Sequence, residues 1–181
     1  MDRLVEVLAE GQRHASATFS LPLGELYEAV VTDHATRPRN LGELAGEGTV
    51  HVHGDNPSCG DTLDLHVQLS PEKVENIKFT GHGCTICMTS ASLMTLKLKG
   101  KERKEARRLM HLFHDQVAAS PEAESGPGPR ELGDLNVLGG VRKFPQRVKC
   151  AMLAWRAFEQ ALDEADAGVS EGAISTEEAE K

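Results

Sequence analysis

Apolar residues recur along this chain in two rhythms. Leu23, Leu26, Tyr27, Val30 and Val31 fall at i, i+3, i+4, i+7 and i+8, one stripe of an amphipathic helix. Pro38 bounds it, because its ring disfavours helix at the preceding residue. The period then shortens to two. Leu63, Leu65, Val67 and Leu69 alternate with Thr62, Asp64, His66 and Gln68, which predicts a strand with one wet face. A short strand over 49–53 precedes it, and a returning strand over 74–80 follows the Ser70-Pro71-Glu72-Lys73 turn. A helix is expected over 84–98, stopping at Gly100, and the helical period returns over 102–117, where Ala106, Leu109, Met110, Phe113 and Val117 share a face. Pro and Gly make 119–131 a loop. A last helix starts near Pro145, with Val148, Ala151, Met152, Trp155, Phe158 and Leu162 as its stripe.

This order predicts an α+β fold, a small antiparallel three-stranded sheet with helices packed on one face. Residues 1–20 and 167–181 carry neither rhythm. They read as a flexible N-terminal extension and a disordered acidic tail around one domain over 21–166, and 181 residues suffice for one such core.

A net charge of -8 argues against general nucleic-acid binding. No apolar run is long enough for a membrane span, and the polar start does not resemble a secretory signal, so a cytoplasmic protein is expected. Charge is unevenly placed. Bases crowd 97–108 and acids dominate from Glu159 onward, as solvated faces or as a docking patch. In a cytosolic chain, four cysteines favour metal or sulfur chemistry over disulfides.

Three of those cysteines and one carboxylate form the candidate site. Cys59 and Asp61 flank Gly60 in the turn Asn56-Pro57-Ser58-Cys59-Gly60-Asp61, two residues apart and able to face one ion. Cys84 follows Gly81-His82-Gly83 at a helix start, where exposed N–H groups favour a thiolate. Cys150 follows the bases Arg142, Lys143, Arg147 and Lys149 in the first turns of the last helix. Three thiolates and one oxygen suit a tetrahedral zinc ion, and the carboxylate is the ligand a soft metal releases most easily. Each cysteine alone could be a small core residue, but a polar Pro-Ser-Cys-Gly-Asp turn is no place to bury one.

These three segments, with Ser90-Ala91-Ser92 and the early Asp33-His34 and Pro38-Arg39-Asn40, resemble the cysteine motifs of the IscU/NifU-N family over about residues 24–165. Within it the chain looks most like the SufU type. Lys149 stands where classical scaffolds carry histidine, their Leu-Pro-Pro-Val-Lys motif is absent before Cys150, and the long stretch between Cys84 and Cys150 resembles the SufU insertion. The resemblance implies zinc held by Cys59, Asp61, Cys84 and Cys150. It also implies a zinc-dependent sulfurtransferase in which Cys59 accepts persulfide sulfur from a SufS-type cysteine desulfurase and passes it to downstream iron–sulfur assembly proteins. The alternative is a scaffold on which a [2Fe–2S] cluster forms on the same thiols. A plain zinc-stabilised binding module is a third reading, and it predicts unfolding on chelation.

Cys87 departs from the relatives, which have a small residue there. One turn from Cys84, it is a spare ligand, a resolving thiol or a buried filler. None of His51, His53, His66, His82, His111 and His114 has an obvious ligand set, and none is assigned a role.

Overall fold

A computed structural model describes residues 23–120, 122 and 128–177. Helix α1 (Leu23–Thr36) leads into strands β1 (Thr49–Asn56), β2 (Asp61–Leu69) and β3 (Val74–His82). Helices α2 (Thr85–Leu98) and α3 (Arg103–Ala118) follow, then a 3-10 helical stretch over Arg130–Lys143, helix α4 (Pro145–Ala167) and strand β4 (Glu171–Ser175). The segment 1–20, expected to be flexible, lies outside the described residues.

The α+β class is as expected, but the sheet has four strands in the order β3-β2-β1-β4. β1, β2 and β3 form the antiparallel meander, and β4 adds to it in parallel with β1, pairing His51–Asp55 with Glu171–Ser175. This added strand lies in the stretch that reads from sequence as an acidic tail. It escapes local pattern reading because its partner is more than a hundred residues away and its five residues Glu-Gly-Ala-Ile-Ser show only one strongly apolar side chain.

Alternation along the strands decides what faces the helices. Leu63, Leu65 and Val67 of β2, Val50 and Val52 of β1, and Phe79 of β3 are buried, while His51, His53, Asp64 and His66 lie on the other face. The same parity carries two polar residues inward. Asn56, after Val50, Val52 and Gly54, is fully buried, and Asp61, before Leu63, is 1% exposed. They oppose each other across the hairpin end. A period of two thus delivers an amide and a carboxylate to one edge of the core.

The central α2 is buried on nearly every side, including Thr89, Ser90, Ser92 and Thr95. Each of these hydroxyls is spent on a neighbour, as buried polar groups require. Ser90 donates to the Ala151 carbonyl of α4 (2.6 Å) and accepts from the Trp155 indole (3.0 Å). Thr89 donates to the Val31 carbonyl of α1 (3.1 Å). The predicted stripes of α3 and α4 are buried, Val148 only in part, and Phe113 stacks on Trp155 with centroids 4.4 Å apart. Between these helices the 3-10 stretch, kinked at Gly133, buries Leu132 before the kink and Leu135, Leu138 and Val141 after it, the last three spaced as three residues per turn dictate. Val31 of the predicted α1 stripe is buried and Tyr27 and Val30 are half-buried; nothing is described for the side chains of Leu23 and Leu26.

The two charge blocks meet each other. Arg103 of α3 bonds Asp166 of α4 at 2.5 Å, and Arg107 bonds Asp163 at 2.9 Å and Asp166 at 3.2 Å. The α3 arginines therefore pair within the chain, as exposed bridges of small individual worth, rather than forming a free docking patch.

His34 of α1 is 7% exposed, and its Nδ1 is 2.8 Å from the Ser92 hydroxyl. Burial, followed by the nearby Arg39 charge, holds its pKa below the ordinary 6.5. The unfolded chain therefore binds the proton first. Stability is full above that ordinary value and is lost as pH falls through it toward the folded pKa. Metal-free protein should melt at a lower temperature at about pH 5.5 than at about pH 7.5, and His34→Gln should shrink that difference. Equal differences for both proteins in thermal unfolding would remove His34 as the cause.

Candidate metal centre

The hairpin between β1 and β2 turns over Pro57–Gly60, closed by the Cys59 N–H and Gly60 N–H donating to the Asn56 carbonyl at 3.1 and 2.9 Å. Gly60 sits at φ 69°, where a side chain would be strained. The turn holds Cys59, half-buried, above the inward-facing Asn56 and Asp61. Cys84 caps α2 and is half-buried, and Cys150 lies buried in the first turns of α4.

These elements converge at one end of the sheet. The Cys150 and Cys59 sulfurs are 3.1 Å apart, and ligand atoms of Cys59, Asp61 and Cys150 all lie within 4.8 Å of one another. Cys84 joins them, its Sγ 4.0 Å from Asp61 Oδ2. All four residues singled out in the sequence are thus brought together. Cys87 is not part of the group. It is 1% exposed within the core, and burial, then the charges of Asp61, Cys84 and Cys59, push its thiol well up. This is the filler geometry. Cys87→Ser should cost about 1–3 kcal/mol by placing a hydroxyl in the core while leaving metal affinity unchanged. A changed affinity in a metal titration would restore the spare-ligand reading.

Among the described residues the histidines lie elsewhere. His51 and His53 share Asp64 Oδ1 at 3.0 and 2.9 Å on the solvent face of the sheet, and His82 is 3.2 Å from the Thr62 hydroxyl.

Electrostatics favour anionic sulfur at this end of the sheet. Cys84 has its pKa brought down to about 6, first by the hydrogen bond from Cys150, against burial, with help from the Cys87 and Ile86 N–H groups at the α2 N-terminus. Cys150 correspondingly holds its proton, chiefly through that bond to Cys84 and through burial. Arg147, one turn before Cys150, is held protonated by its bond to the Cys150 thiol and by the Cys84 charge. Asp61 divides its oxygens. Oδ1 accepts from the Cys84 N–H at 2.7 Å, while Oδ2 faces the thiols and accepts from the Asn56 amide at 3.1 Å. A Cβ at Gly83 would lie 2.8 Å from Asp61 Oδ1, so only glycine lets the loop approach the carboxylate.

In the sequence Asn56 reads only as a turn former. Its Nδ2 donates to both Asp61 Oδ2 (3.1 Å) and Cys150 Sγ (3.3 Å), which makes it the hub beneath the group. The signal that could have found it is its parity with Val50 and Val52, which puts a polar side chain on the core face. Beside Cys59 an open cleft of about 560 Å³ is lined by Ser58, Lys143, Phe144 and Arg147 among others, and Phe144 is 61% exposed.

Three soft sulfurs and one carboxylate converging within a few ångströms are a donor set that fits zinc.

Residues 26–167 match the family described as NifU-like N terminal domain. The iron–sulfur cluster assembly scaffold protein IscU of Streptococcus pyogenes serotype M1 is 43% identical, over 77% of this chain and 84% of its own length. The zinc-dependent sulfurtransferase SufU of Bacillus subtilis (strain 168) is 39% identical, over 83% of this chain and 99% of its own. A crystal structure of a candidate iron–sulfur cluster assembly scaffold for the SUF system, from Fervidobacterium islandicum AW-1, superposes with a TM-score of 0.64 and is 27% identical, covering 76% of this chain and 97% of that one.

Proposed function

We propose, for a chain that belongs to the NifU-like N-terminal domain family, a zinc-dependent sulfur acceptor that takes persulfide sulfur from a cysteine desulfurase for iron–sulfur cluster assembly. One relative named an iron–sulfur cluster assembly scaffold and another named a zinc-dependent sulfurtransferase support the general role. The observation that carries the finer reading is the convergence of Cys59, Asp61, Cys84 and Cys150, with Cys59 on the turn that borders the open cleft.

Zinc, when bound, keeps the thiols deprotonated at neutral pH while restraining their reactivity. Cys59 is held by a turn, whereas Cys84 and Cys150 are held by helices, and it borders the cleft through which a partner can reach it. As thiolate it attacks the outer sulfur of the partner's persulfide. A new S–S bond forms on Cys59, the partner's inner S–S bond breaks, and the partner's cysteine leaves as thiolate, so no external oxidant or reductant is needed. Arg147 beside the cleft offers a positive charge to the incoming anionic persulfide.

Among the described residues no helix is long and apolar enough to cross a membrane. The test is the turnover of a cysteine desulfurase with and without the zinc-loaded protein. Marked acceleration supports sulfur transfer, and none contradicts it.

A second reading, a scaffold carrying a [2Fe–2S] cluster, rests on the 43% identical relative named a scaffold and on the Cys59, Asp61 and Cys150 group with Cys84 beside it. Anaerobic incubation with iron and sulfide tests it. A stable cluster absorbance that is lost in Cys150→Ala supports it.

A further inference from the structure

We infer that Thr176, just past β4, is a positioning residue for the Cys59, Asp61, Cys84 and Cys150 group, acting through Asn56. The inference rests on the metal-binding reading of that group and not on sulfur transfer.

Thr176 is 2% exposed, in a segment whose neighbours Glu171 and Glu177 are open to solvent. Its hydroxyl donates to Asn56 Oδ1 at 2.9 Å. Asn56 is fully buried, and its Nδ2 donates onward to Asp61 Oδ2 at 3.1 Å and Cys150 Sγ at 3.3 Å. A side-chain amide is symmetric in shape but not in chemistry. Rotated by half a turn, it would present its oxygen to a carboxylate and a thiol sulfur and lose both bonds. The acceptor-only Asp61 carboxylate selects the orientation that serves the site, and the Thr176 hydroxyl, by donating to the Oδ1 that this orientation turns away from the site, anchors the amide there.

The backbone around Thr176 fixes that hydroxyl. Its N–H donates to the Asp55 carbonyl at 3.0 Å, and the Ser175 hydroxyl donates to Asp55 Oδ2 at 3.2 Å. β4 pairs in parallel with β1, whose far end carries Asn56 and leads into the Cys59 turn. β4 also lies against α4, which carries Cys150: a Cβ built at Gly172 would sit 3.1 Å from Glu164 Oε1 and 3.3 Å from Gln160 Cγ. Ser58, next to Cys59, donates to Glu177 Oε1 at 2.9 Å. The C-terminal segment thus touches two of the three elements that deliver sulfur to the group, the Cys59 turn and α4, and Thr176 is its buried residue.

Without the hydroxyl, Asn56 Oδ1 is left buried without its donor and the amide loses the contact that anchors it beneath the site. Loss of a partner that orients a ligand typically lowers metal affinity about 10- to 100-fold. The test uses Co²⁺ as a spectroscopic stand-in for zinc on the full-length wild type, Thr176→Val and Thr176→Ser, with affinity read by chelator competition. The expected result is thiolate-to-cobalt absorption in the wild type, affinity about tenfold or more weaker with altered bands in Thr176→Val, and recovery in Thr176→Ser. A merely structural role would lower the melting temperature of the metal-free variant without changing the spectrum or affinity of its folded fraction. Wild-type affinity and bands in Thr176→Val overturn the inference. Absence of thiolate bands in the wild type overturns the metal reading together with it. Should Thr176→Val fail to fold, Thr176→Ala, which also removes the hydroxyl, is read by the same criteria.

Discussion

Cys59→Ala should abolish persulfide transfer while leaving the fold in place. Cys59 is half-buried on a four-residue turn whose two backbone hydrogen bonds, from residues 59 and 60 to the Asn56 carbonyl, do not need its side chain. Losing the sulfur removes one contact of 3.1 Å, with Cys150 Sγ, and leaves Asp61, Cys84 and Asn56 bonded to one another. The expected stability change is within about 1 kcal/mol, the range for a substitution outside the core. The transfer loss should be complete, because the other two thiols are rooted in helices: Cys84 caps α2 and Cys150 is buried in α4. Desulfurase-coupled transfer together with thermal unfolding checks both halves. Full transfer by this variant would move the acceptor role to another thiol.

The second large effect is expected at Asp61. Asp61→Cys exchanges the one hard donor for a fourth soft one and turns an openable site into a closed structural type. Zinc affinity should rise by about tenfold or more, equivalent to about 1.4 kcal/mol, and sulfur transfer should fall. The metal-free protein should change in the opposite sense. Asp61 Oδ1 accepts the Cys84 N–H and Oδ2 accepts the buried Asn56 amide, so a thiol there leaves weaker acceptors and costs about 1–3 kcal/mol. Opposite shifts of metal-free stability and metal affinity separate ligand chemistry from damage to the fold. Chelator competition and metal-free unfolding read them independently. Unchanged affinity would mean that Asp61 serves only to anchor the start of α2.

A chelator also separates this centre from a structural zinc site. The core is built from the sheet's inner face, α2, α3, α4 and the 3-10 stretch, and it closes around Trp155, Phe79 and Phe113, with the candidate ligands gathered at one edge of it, where Cys59 and Cys84 are only half-buried. Metal-free protein should remain cooperatively folded. Unfolding on chelation would favour a plain zinc-stabilised module.

Much of this is legible in the sequence for reasons that the structure makes concrete. The α3 stripe buries the residues its 3.6 period selects, and the parity of Leu63 and Leu65 extends to Asp61, so the inward direction of this candidate ligand is already written in β2. Gly60 reads as a special backbone position and has φ 69°. What escapes is non-local. β4 pairs with a strand more than a hundred residues earlier, and nothing within Glu171–Ser175 announces it. Thr176 and Asn56 read as tail and turn because their partners are each other. The basic block over 97–108 reads as a solvated face before a docking surface, and the pairing of Arg103 and Arg107 with Asp163 and Asp166 becomes visible only once α3 and α4 are packed.

The most direct test of sulfur transfer is peptide mass mapping after one turnover of a cysteine desulfurase with cysteine and the zinc-loaded protein. Acceptance by Cys59 predicts the mass of one added sulfur on the peptide that carries Cys59, and none on those carrying Cys84, Cys87 or Cys150. Sulfur on one of those peptides, or on none while the desulfurase turns over, would contradict it.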